Sequence, residues 1–426
     1  MAAMEKNNKT LKSSIEREQK QLAGSAEHEK IKGSQNLNVP HLRFPEFSGE
    51  WENTLLNCYL EENKERNKKG LFTKNDVLSV SGDYGVVNQI ELLGRSFAGK
   101  SVLDYHVVRS GNIVYTKSPL KEYPYGIVKV NDGIDGIVST LYAVYMVKEN
   151  ADGKFIENYF GLPSRTNRYF KPIVRIGAKH DMKIGNDEVL ANHVIFPRLD
   201  EQKRISDFIS LLDQRIATQR KIIEKYESLI RGLSNKLLYE FEGASVCLGD
   251  ILIERSERTQ INNQHEVLSS TVKGIFSQRE YFSKDIASEN NVGYKIIRLH
   301  DVVLSPQNLW MGNINYNDKF DIGIVSPSYK IFSIAEGYDK RCVSALLKTH
   351  RALYNYMQVS EQGASVVRRN LNMEAFEQLT FKIPPYTTQC EIGRILDSMQ
   401  KRLGIAISTQ SCLEQQKQWL LRSLFI

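Results

Sequence analysis

Residues 197–239 read PRLDEQKRISDFISLLDQRIATQRKIIEKYESLIRGLSNKLLY, and this stretch decides the fold of the chain. One apolar seam runs through it at alternating steps of four and three residues, and charged residues fill most of the other positions. The seam consists of Ile205, Ile209, Leu212, Ile216, Gln219, Ile223, Tyr226, Ile230, Leu233 and Leu237. This spacing is the 3.5-residue period of a coiled coil. The pattern predicts a single helix about 60 Å long, which is long enough to act as a spacer.

The same element occurs again at the end of the chain, where residues 384–425 read PPYTTQCEIGRILDSMQKRLGIAISTQSCLEQQKQWLLRSLF. At an offset of 187 positions, Pro197 aligns with Pro384 and Gln202 aligns with Gln389, and the apolar seams also match. Two unrelated amphipathic helices would share the period, but they would not share the leading Pro and Gln. The repeat therefore indicates a duplication.

The segments before the two helices are duplicated as well. Residues 105–109 (YHVVR) match residues 294–298 (YKIIR), and the tetrapeptide GIVS occurs at 136–139 and again at 323–326. Both segments contain short β-type runs separated by Gly, Asn, Asp and Pro turn signals, which predicts a mixed domain with a strand-rich core. Because the offset stays within a few residues from domain to helix, the whole unit is duplicated.

The sequence therefore predicts an α+β fold in which two tandem copies of one domain alternate with two long helices. Each helix begins beside a domain, so antiparallel packing of the helices would hold the two domains at opposite ends, related by a pseudo-twofold axis. The predicted boundaries are a flexible N-terminal extension (1–38), a first domain (39–196), a first long helix (197–241), a second domain (242–383) and a second long helix (384–426).

Composition narrows the class of protein. The 426 residues carry a formal net charge of +7 with a sequence pI near 8.9, which favours a polyanionic partner, with a solvated basic surface as the plain alternative. The five cysteines are scattered and never form a CxxC pair, which indicates reduced thiols with neither a disulfide framework nor a zinc site. Since no signal-peptide pattern and no apolar run of membrane length occurs, we expect a cytoplasmic protein without a membrane partner.

We searched the sequence for catalytic motifs. It has neither a methyltransferase's Gly-rich cofactor loop nor its Asn/Asp-Pro-Pro-aromatic tetrapeptide, and the eight histidines show no metal-ligand spacing. Residues 94–101 (GRSFAGKS) match the spacing of a phosphate-binding loop. A short charged run precedes them and a strand repeat follows, whereas such a loop needs a buried strand before it and a helix after it. The pattern predicts a chain that is not itself an enzyme.

A basic segment near the end of each domain is the main candidate for DNA contact. Residues 165–183 hold six Lys or Arg residues against one acid, and the corresponding residues 363–370 (GASVVRRN) are also basic. Such side chains can neutralise phosphates or read guanine edges. A solvated basic loop is the plain alternative. The candidates are Arg175, Lys179, His180, Lys183, Arg368 and Arg369.

Two loops that differ between the domains supply weaker candidates for base contact. Residues 81–84 (SGDY) correspond to residues 271–274 (TVKG), and a shared framework with divergent loops is typical of two related readers of different ligands. Neutral drift in a surface loop would give the same pattern. The candidates here are Ser81, Tyr84, Lys273 and Gln278.

With these features in place, the chain resembles the specificity (S) subunit of type I restriction-modification enzymes over residues 38–426. The resemblance is carried by residues 38–45 (NVPHLRFP), by residues 49–52 (GEWE), by the two repeated domains and by the two Pro-leading helix starts. The second helix start departs from the first, since Thr387 and Thr388 stand where the first has Asp200 and Glu201.

The resemblance implies a fold and a set of partners. The two domains would be target-recognition domains, each reading half of a bipartite site in double-stranded DNA, and the helices would set the spacing of the halves. Two methyltransferase subunits would dock on this chain, and motor-nuclease subunits would join that core. The chain itself would carry no cofactor, while S-adenosylmethionine, ATP and Mg²⁺ would bind to the partner subunits. A coiled-coil scaffold with incidental DNA affinity is the alternative.

The helix seams also predict a register. If positions whose numbers sum to 629 face each other, both seams align over their whole length. Gln219, the only seam glutamine of the first helix, then meets Gln410, the only one of the second, and the two amides can hydrogen-bond. A slipped register would bury each against an apolar residue at a cost of roughly 1–3 kcal/mol. The weak point is Leu212 opposite Lys417, which requires the lysine to extend towards solvent.

Overall fold

The computed structural model describes residues 38–99, 101–120, 122–176, 182–241, 243–281, 290–362 and 369–426. The predicted N-terminal extension therefore lies outside the described residues, apart from Asn38. The chain forms two compact units. The first comprises the residues up to Asp213 together with Glu414–Ile426, and the second comprises Gln214–Leu413.

The first unit contains a strand-rich domain and parts of both long helices. Its strands are β1 (Glu52–Leu55), β2 (Leu60–Glu62), β3 (Leu78–Ser81), β4 (Gly85–Asn88), β5 (His106–Val108), β6 (Ile113–Thr116), β7 (Val128–Val130), β8 (Gly136–Val138), β9 (Tyr142–Val147), β10 (Arg175–Ile176), β11 (Met182–Lys183) and β12 (His193–Phe196). Its helices are α1 (Gln89–Leu93), α2 (Gly153–Tyr159), α3 (Pro163–Phe170) and the first part of α4 (Leu199–Tyr239), with short 3-10 helices at Leu56–Cys58, Lys74–Asp76 and Glu188–Leu190.

The second unit repeats this element order. Its strands are β13 (Ala244–Cys247), β14 (Leu252–Arg255), β15 (Leu268–Thr271), β16 (Gly274–Ser277), β17 (Lys295–Arg298), β18 (Val302–Leu304), β19 (Ile314–Tyr316), β20 (Ile322–Val325), β21 (Lys330–Ile334), β22 (Ser360–Gln362), β23 (Arg369–Leu371) and β24 (Thr380–Ile383). Its helices are α5 (Leu248–Ile251), α6 (Gln278–Tyr281), α7 (Lys340–Leu347), α8 (His350–Gln358), α9 (Met373–Glu377) and α10 (Tyr386–Ser423), with a 3-10 helix at Leu309–Met311.

Sheet topology confirms the duplication strand by strand. The first unit has a four-stranded sheet in the order β2-β9-β6-β7, and the second has β14-β21-β18-β19. Four antiparallel pairs also recur, since β1-β12, β3-β4, β5-β8 and β10-β11 correspond to β13-β24, β15-β16, β17-β20 and β22-β23. Strands β13–β24 of the second unit thus pair in the same way as strands β1–β12 of the first, taken in the same order. The predicted α+β class is confirmed.

Both long helices contribute to the core of each unit. In the first unit, Ile205 and Ile209 from the start of α4 share a hydrophobic core with Leu420 and Leu424 from the end of α10. In the second unit, the end of α4 packs with the start of α10, where Ile392 and Leu396 are buried. The helices are therefore antiparallel within each unit, as predicted. Full burial of each such side chain stabilises the fold by about 1.5–3 kcal/mol.

The predicted seam of α4 faces inward along its length. Ile205, Ile209, Ile216 and Ile230 are buried, and the other seam positions are half-buried. Lys417 does not remain as an unpaired charge in the seam, because its ammonium forms an ion pair with the carboxylate of Asp213. The lysine stem can therefore pack beside apolar residues while its charge stays compensated.

The leading glutamines shared by the two helices have the same structural role. Nε2 of Gln202 donates to the carbonyl oxygen of Pro197 at 2.9 Å, while its Oε1 accepts from the backbone N–H of Asp152 at 2.9 Å. Asp152 is the N-cap of α2, where its side chain accepts from a backbone N–H of the first turn. Gln202 therefore ties the entry of the long helix to the start of the neighbouring short helix.

The second unit contains the same arrangement. Nε2 of Gln389 donates to the carbonyl oxygen of Pro384 at 2.9 Å, and its Oε1 accepts from the backbone N–H of Asp339, the N-cap of α7, at 2.9 Å. Both glutamines are almost fully buried. The repeat of Pro and Gln is thus explained by a hydrogen-bonded junction between each domain and its long helix.

The first helix start has one contact that the second lacks. Nε and Nη2 of Arg43 donate to the two carboxylate oxygens of Glu201 at 2.8 and 2.7 Å, and the Trp51 indole N–H donates to Oε1 at 3.3 Å. Arg43 and Trp51 belong to the segment that precedes β1. The residue of the second helix that aligns with Glu201 is Thr388, and the segment equivalent to Arg43 is part of α4. The second helix start therefore lacks this ion pair because the residues equivalent to Arg43 form part of α4.

Candidate nucleic-acid interface

Each unit forms an antiparallel hairpin at the predicted basic segment. In the first unit, β10 pairs with β11, and Arg175 lies opposite Lys183. In the second, β22 pairs with β23, and Gln362 lies opposite Arg369. Residues 177–181 and 363–368, between the paired strands, lie outside the described residues. They include the predicted contact residues Lys179, His180 and Arg368, whose roles stay predictions.

The strands of the first hairpin present two basic side chains to solvent. The Arg175 side chain is 80% exposed, and its Nη2 lies 3.3 Å from a carboxylate oxygen of Glu188. An exposed pair of this kind contributes at most about 1 kcal/mol, so a phosphate could replace the carboxylate. Lys183 is exposed on the opposite strand. Both residues are available for the phosphate contacts that the sequence predicts.

The second hairpin holds its arginine differently. The Arg369 guanidinium lies over the Trp310 indole, with 4.5 Å from Cζ to the ring centroid. The backbone N–H of Arg369 donates to the carbonyl oxygen of Gln307 at 3.2 Å. Arg369 is half-buried. Its guanidinium is therefore held against the indole by stacking.

The two divergent loops form the turns of equivalent hairpins. Between β3 and β4, the Ser81 hydroxyl accepts from the backbone N–H groups of Asp83 and Tyr84, both at 3.3 Å. The Tyr84 side chain is exposed, as is Lys273 in the turn between β15 and β16. Tyr84 and Lys273 can thus reach a ligand, whereas Ser81 shapes its own turn.

Gln278 contacts a strand of the hairpin formed by β15 and β16. Its Nε2 lies 3.4 Å from the hydroxyl of Ser269 on β15, and its Oε1 is buried without a hydrogen-bond partner among the described residues. In the first unit Gln89 occupies the equivalent place, and its Nε2 donates to the hydroxyl of Ser79 at 3.0 Å. The shared geometry indicates a structural brace, and a base contact by Gln278 stays a prediction.

A solved structure shows the same fold. The S subunit of the type I restriction-modification system from M. genitalium superposes with a TM-score of 0.58 at 14% identity, covering 91% of this chain and 99% of its own. The chain has the fold of a type I restriction-modification S subunit. A structure concerning complex assembly and conformational transition of the type I system gives 0.48 at 14% identity, covering 91% and 99%. The HsdS subunit from Thermoanaerobacter tengcongensis gives 0.38 at 14% identity, covering 88% and 96%. No protein-family model matches the sequence.

One arginine of the predicted basic stretch belongs to the core of the S-subunit fold. Arg165 is 8% exposed, and its guanidinium donates to the carbonyl oxygens of Tyr159 and Leu421 at 2.9 and 3.1 Å. Burial lowers the pKa of Arg165 to about 10. The sequence prediction of a phosphate contact is therefore wrong for this residue, because its donors hold the end of α10 in place.

The match to a phosphate-binding loop at residues 94–101 is accidental. Gly94 ends helix α1, where it adopts a left-handed conformation (φ +74°) and donates its N–H to the carbonyl oxygen of Ile90. A phosphate-binding loop instead precedes the helix whose N-terminus it uses. The S-subunit fold thus uses this segment as a helix C-cap.

Sequence reasoning missed an aromatic and basic patch beside the second hairpin turn. The rings of Phe276 and Tyr281 lie 4.9 Å apart, and Nζ of Lys319 lies 5.5 Å from the centroid of Phe276. Tyr281 and Lys319 are exposed. Lys319 is far from the others in sequence, so only the packing of β16 against β19 brings these residues together. A hydroxyl and an ammonium at such a place suit a phosphate contact.

Within the described part of the chain, no group of three His, Cys, Asp or Glu residues is arranged to hold a metal ion. None of the helices in that part is long and apolar enough to cross a lipid bilayer.

Proposed function

We propose that the chain is the DNA sequence-specificity subunit of a type I restriction-modification complex and reads a bipartite double-stranded target, one half-site per unit. The observation that carries the proposal is the duplicated basic hairpin. Each unit has it at the same place in the same topology, while the side chains it presents differ between the units. Two similar frameworks with different contact residues suit two different half-sites.

The proposal assigns the long helices to spacing and to subunit docking. Large apolar side chains are exposed on them, among them Leu211 (64%) and Trp419 (56%) in the first unit and Leu229 (48%) and Ile405 (67%) in the second. Exposed Leu, Ile and Trp side chains on helices are typical of protein contact surfaces. We infer that two methyltransferase subunits dock here and that motor-nuclease subunits join through them.

In this proposal the partner subunits, and not this chain, carry out catalysis. The chain positions the DNA, while S-adenosylmethionine, ATP and Mg²⁺ bind to the methyltransferase and motor-nuclease subunits. The isolated chain should therefore transfer no methyl group from S-adenosylmethionine to DNA. Methyl transfer by the purified chain alone would overturn this assignment.

Selection of bound sequences from a random DNA pool tests the function. The full chain, with and without methyltransferase subunits, should enrich one bipartite sequence with a constant spacer. Exchange of residues 39–196 for the equivalent domain of another S subunit should then change one half of that sequence and leave the other half unchanged. Enrichment of no sequence would favour the scaffold alternative, and a change in both halves would show that the units do not read independently.

Individual phosphate contacts can be separated from base contacts by their salt dependence. Lys179→Ala should reduce the slope of log affinity against log salt concentration by about one and weaken all sequences alike. Lys221→Ala, on the exposed face of α4, is the control and should leave the slope unchanged. An unchanged slope for Lys179→Ala would assign that lysine to the solvated-loop alternative.

A further inference from the structure

The Arg369 guanidinium stacks on Trp310 without a carboxylate partner among the described residues, as do Arg95 over Phe97 and Arg351 over Tyr239. Of these three arginines, only Arg369 lies on a strand of the two paired hairpins. The Arg109 guanidinium lies over a phenyl ring too, but its Nη1 and Nη2 form ion pairs with Asp135 and Glu65 at 3.0 and 2.7 Å. The Arg369 guanidinium has no carboxylate partner among the described residues. It therefore combines a fixed plane with unused hydrogen-bond donors.

Trp310 is itself held rigidly. It lies in the 3-10 helix Leu309–Met311, whose first residue is fully buried in the core of the second unit. Gly312 ends this helix in a left-handed conformation (φ +90°). The indole Nε1 is buried without a hydrogen-bond partner among the described residues, so one edge of the ring points into the protein. Trp310 is thus a fixed platform for the guanidinium.

The described strands of the first hairpin, β10 and β11, have no equivalent of this arrangement. When Gly177-Ala178 is aligned with Gly363-Ala364, Ile176 corresponds to Gln362. The strand partner of Ile176 is Met182, and the strand partner of Gln362 is Arg369. Met182 is 8% exposed and belongs to the core of the first unit. Among the described residues, the hairpin of the second unit therefore has a guanidinium platform where the first has the buried Met182.

We propose that Arg369 reads a guanine in the half-site bound by the second unit and that Trp310 is the residue that positions it. The inference rests on the proposed function. A planar guanidinium can donate two parallel hydrogen bonds to O6 and N7 of guanine in the major groove. Stacking fixes that plane before DNA binds, so little side-chain freedom is lost on binding. A phosphate contact would need the charge but not the fixed plane.

Four variants of the full chain test the proposal on the target selected by the wild type and on all its single-base substitutions. Arg369→Lys keeps the charge but loses the paired donors, so discrimination at one G·C position should fall by roughly 5- to 150-fold. Trp310→Leu should relax the same position, and Trp310→Phe, which retains a ring face, should stay within about threefold of the wild type. Arg175→Lys, the control in the first unit, should leave that position unchanged.

The outcomes separate this inference from the proposed function. If the wild type selects a bipartite target but Arg369→Lys discriminates normally at every position, the inference is wrong and the function stands. The inference is also wrong if Trp310→Leu folds and weakens all sequences equally. If Trp310→Leu does not fold, Arg369→Lys and Trp310→Phe decide the matter. If the wild type selects no target, the proposed function itself fails.

Discussion

The junction made by Gln389 gives a quantitative test of how each domain is joined to its long helix. We consider Gln389→Met, which keeps nearly the same side-chain volume but removes both hydrogen-bonding groups. The Asp339 N–H and the Pro384 carbonyl oxygen would then lose the partners that lie 2.9 Å away in the native protein. Because Gln389 is 3% exposed, water cannot replace the amide without opening the junction.

The expected magnitude follows from the number of groups left unpaired. A buried backbone donor or acceptor without a partner costs about 1–3 kcal/mol. Two such groups predict that the free energy of unfolding falls by about 2–6 kcal/mol. Gln389→Glu would bury a carboxylate against the Pro384 carbonyl oxygen, so near neutral pH it should cost at least as much as Gln389→Met.

Urea denaturation of the full chain, followed by far-ultraviolet circular dichroism, measures the effect. The matched control is Gln400→Met, at an exposed position of the same helix, which should change the free energy of unfolding by less than about 0.5 kcal/mol. Gln202→Met should show the same loss in the first unit. The reasoning is refuted if Gln389→Met and Gln400→Met have equal stability, since the buried hydrogen bonds would then contribute nothing.

Three further predictions concern charge and register. Burial lowers the pKa of His106 from 6.5 to about 4, so protonation favours the unfolded chain. Roughly 3 kcal/mol of the free energy of unfolding should therefore be lost as the pH falls from 6.5 to 4. Urea denaturation at each pH measures this, and an equally steep loss in His106→Gln would contradict it. Arg43→Met removes the ion-pair partner of the buried Glu201 carboxylate and should lower the free energy of unfolding by about 3–5 kcal/mol. Arg204→Met breaks an exposed ion pair and should lower it by less than about 1 kcal/mol. Similar melting temperatures for the two variants would contradict this prediction. Replacement of both Gln219 and Gln410 by Leu should leave the fold stable but broaden the range of spacer lengths in the selected DNA. Unchanged spacer selectivity would show that the register hypothesis is wrong.

The long helices and the duplication could be predicted from the sequence because both are local or periodic signals. The seam of α4 depends only on the spacing of apolar residues, and the repeat is visible by comparing the chain with itself. The strand order β2-β9-β6-β7 was beyond sequence reasoning, since nothing in a single strand specifies its partner. The repeat nevertheless predicts that whatever order the first unit adopts, the second adopts as well.

Individual side-chain roles were harder to predict where the partner is distant in sequence. Arg165 looked like a phosphate ligand because it stands among other basic residues, but its partner Leu421 is 256 positions away. Trp310 gave no signal at all, since only the β22–β23 hairpin brings Arg369 over it. The repeated Gln202 and Gln389 could have been identified as structural residues, because a polar residue retained in both copies beside a helix start indicates a shared local hydrogen bond.

The contact of Gln219 supports the predicted register through a backbone oxygen of α10. Nε2 of Gln219 donates to the carbonyl oxygen of Ala406 at 2.9 Å. In an α-helix this oxygen is the acceptor for the backbone N–H four residues later, which here belongs to Gln410. The amide of Gln219 therefore lies at the turn of α10 where the 629 register places Gln410. A shift by one heptad would move it about 10 Å along the helix and away from that turn.

A hydrogen bond to the backbone also makes Gln219 less dependent on the side chain of Gln410. The single change Gln410→Leu should accordingly disturb spacer selectivity less than Gln219→Leu does, and the opposite order would show that the amide pair, rather than the carbonyl contact, fixes the register.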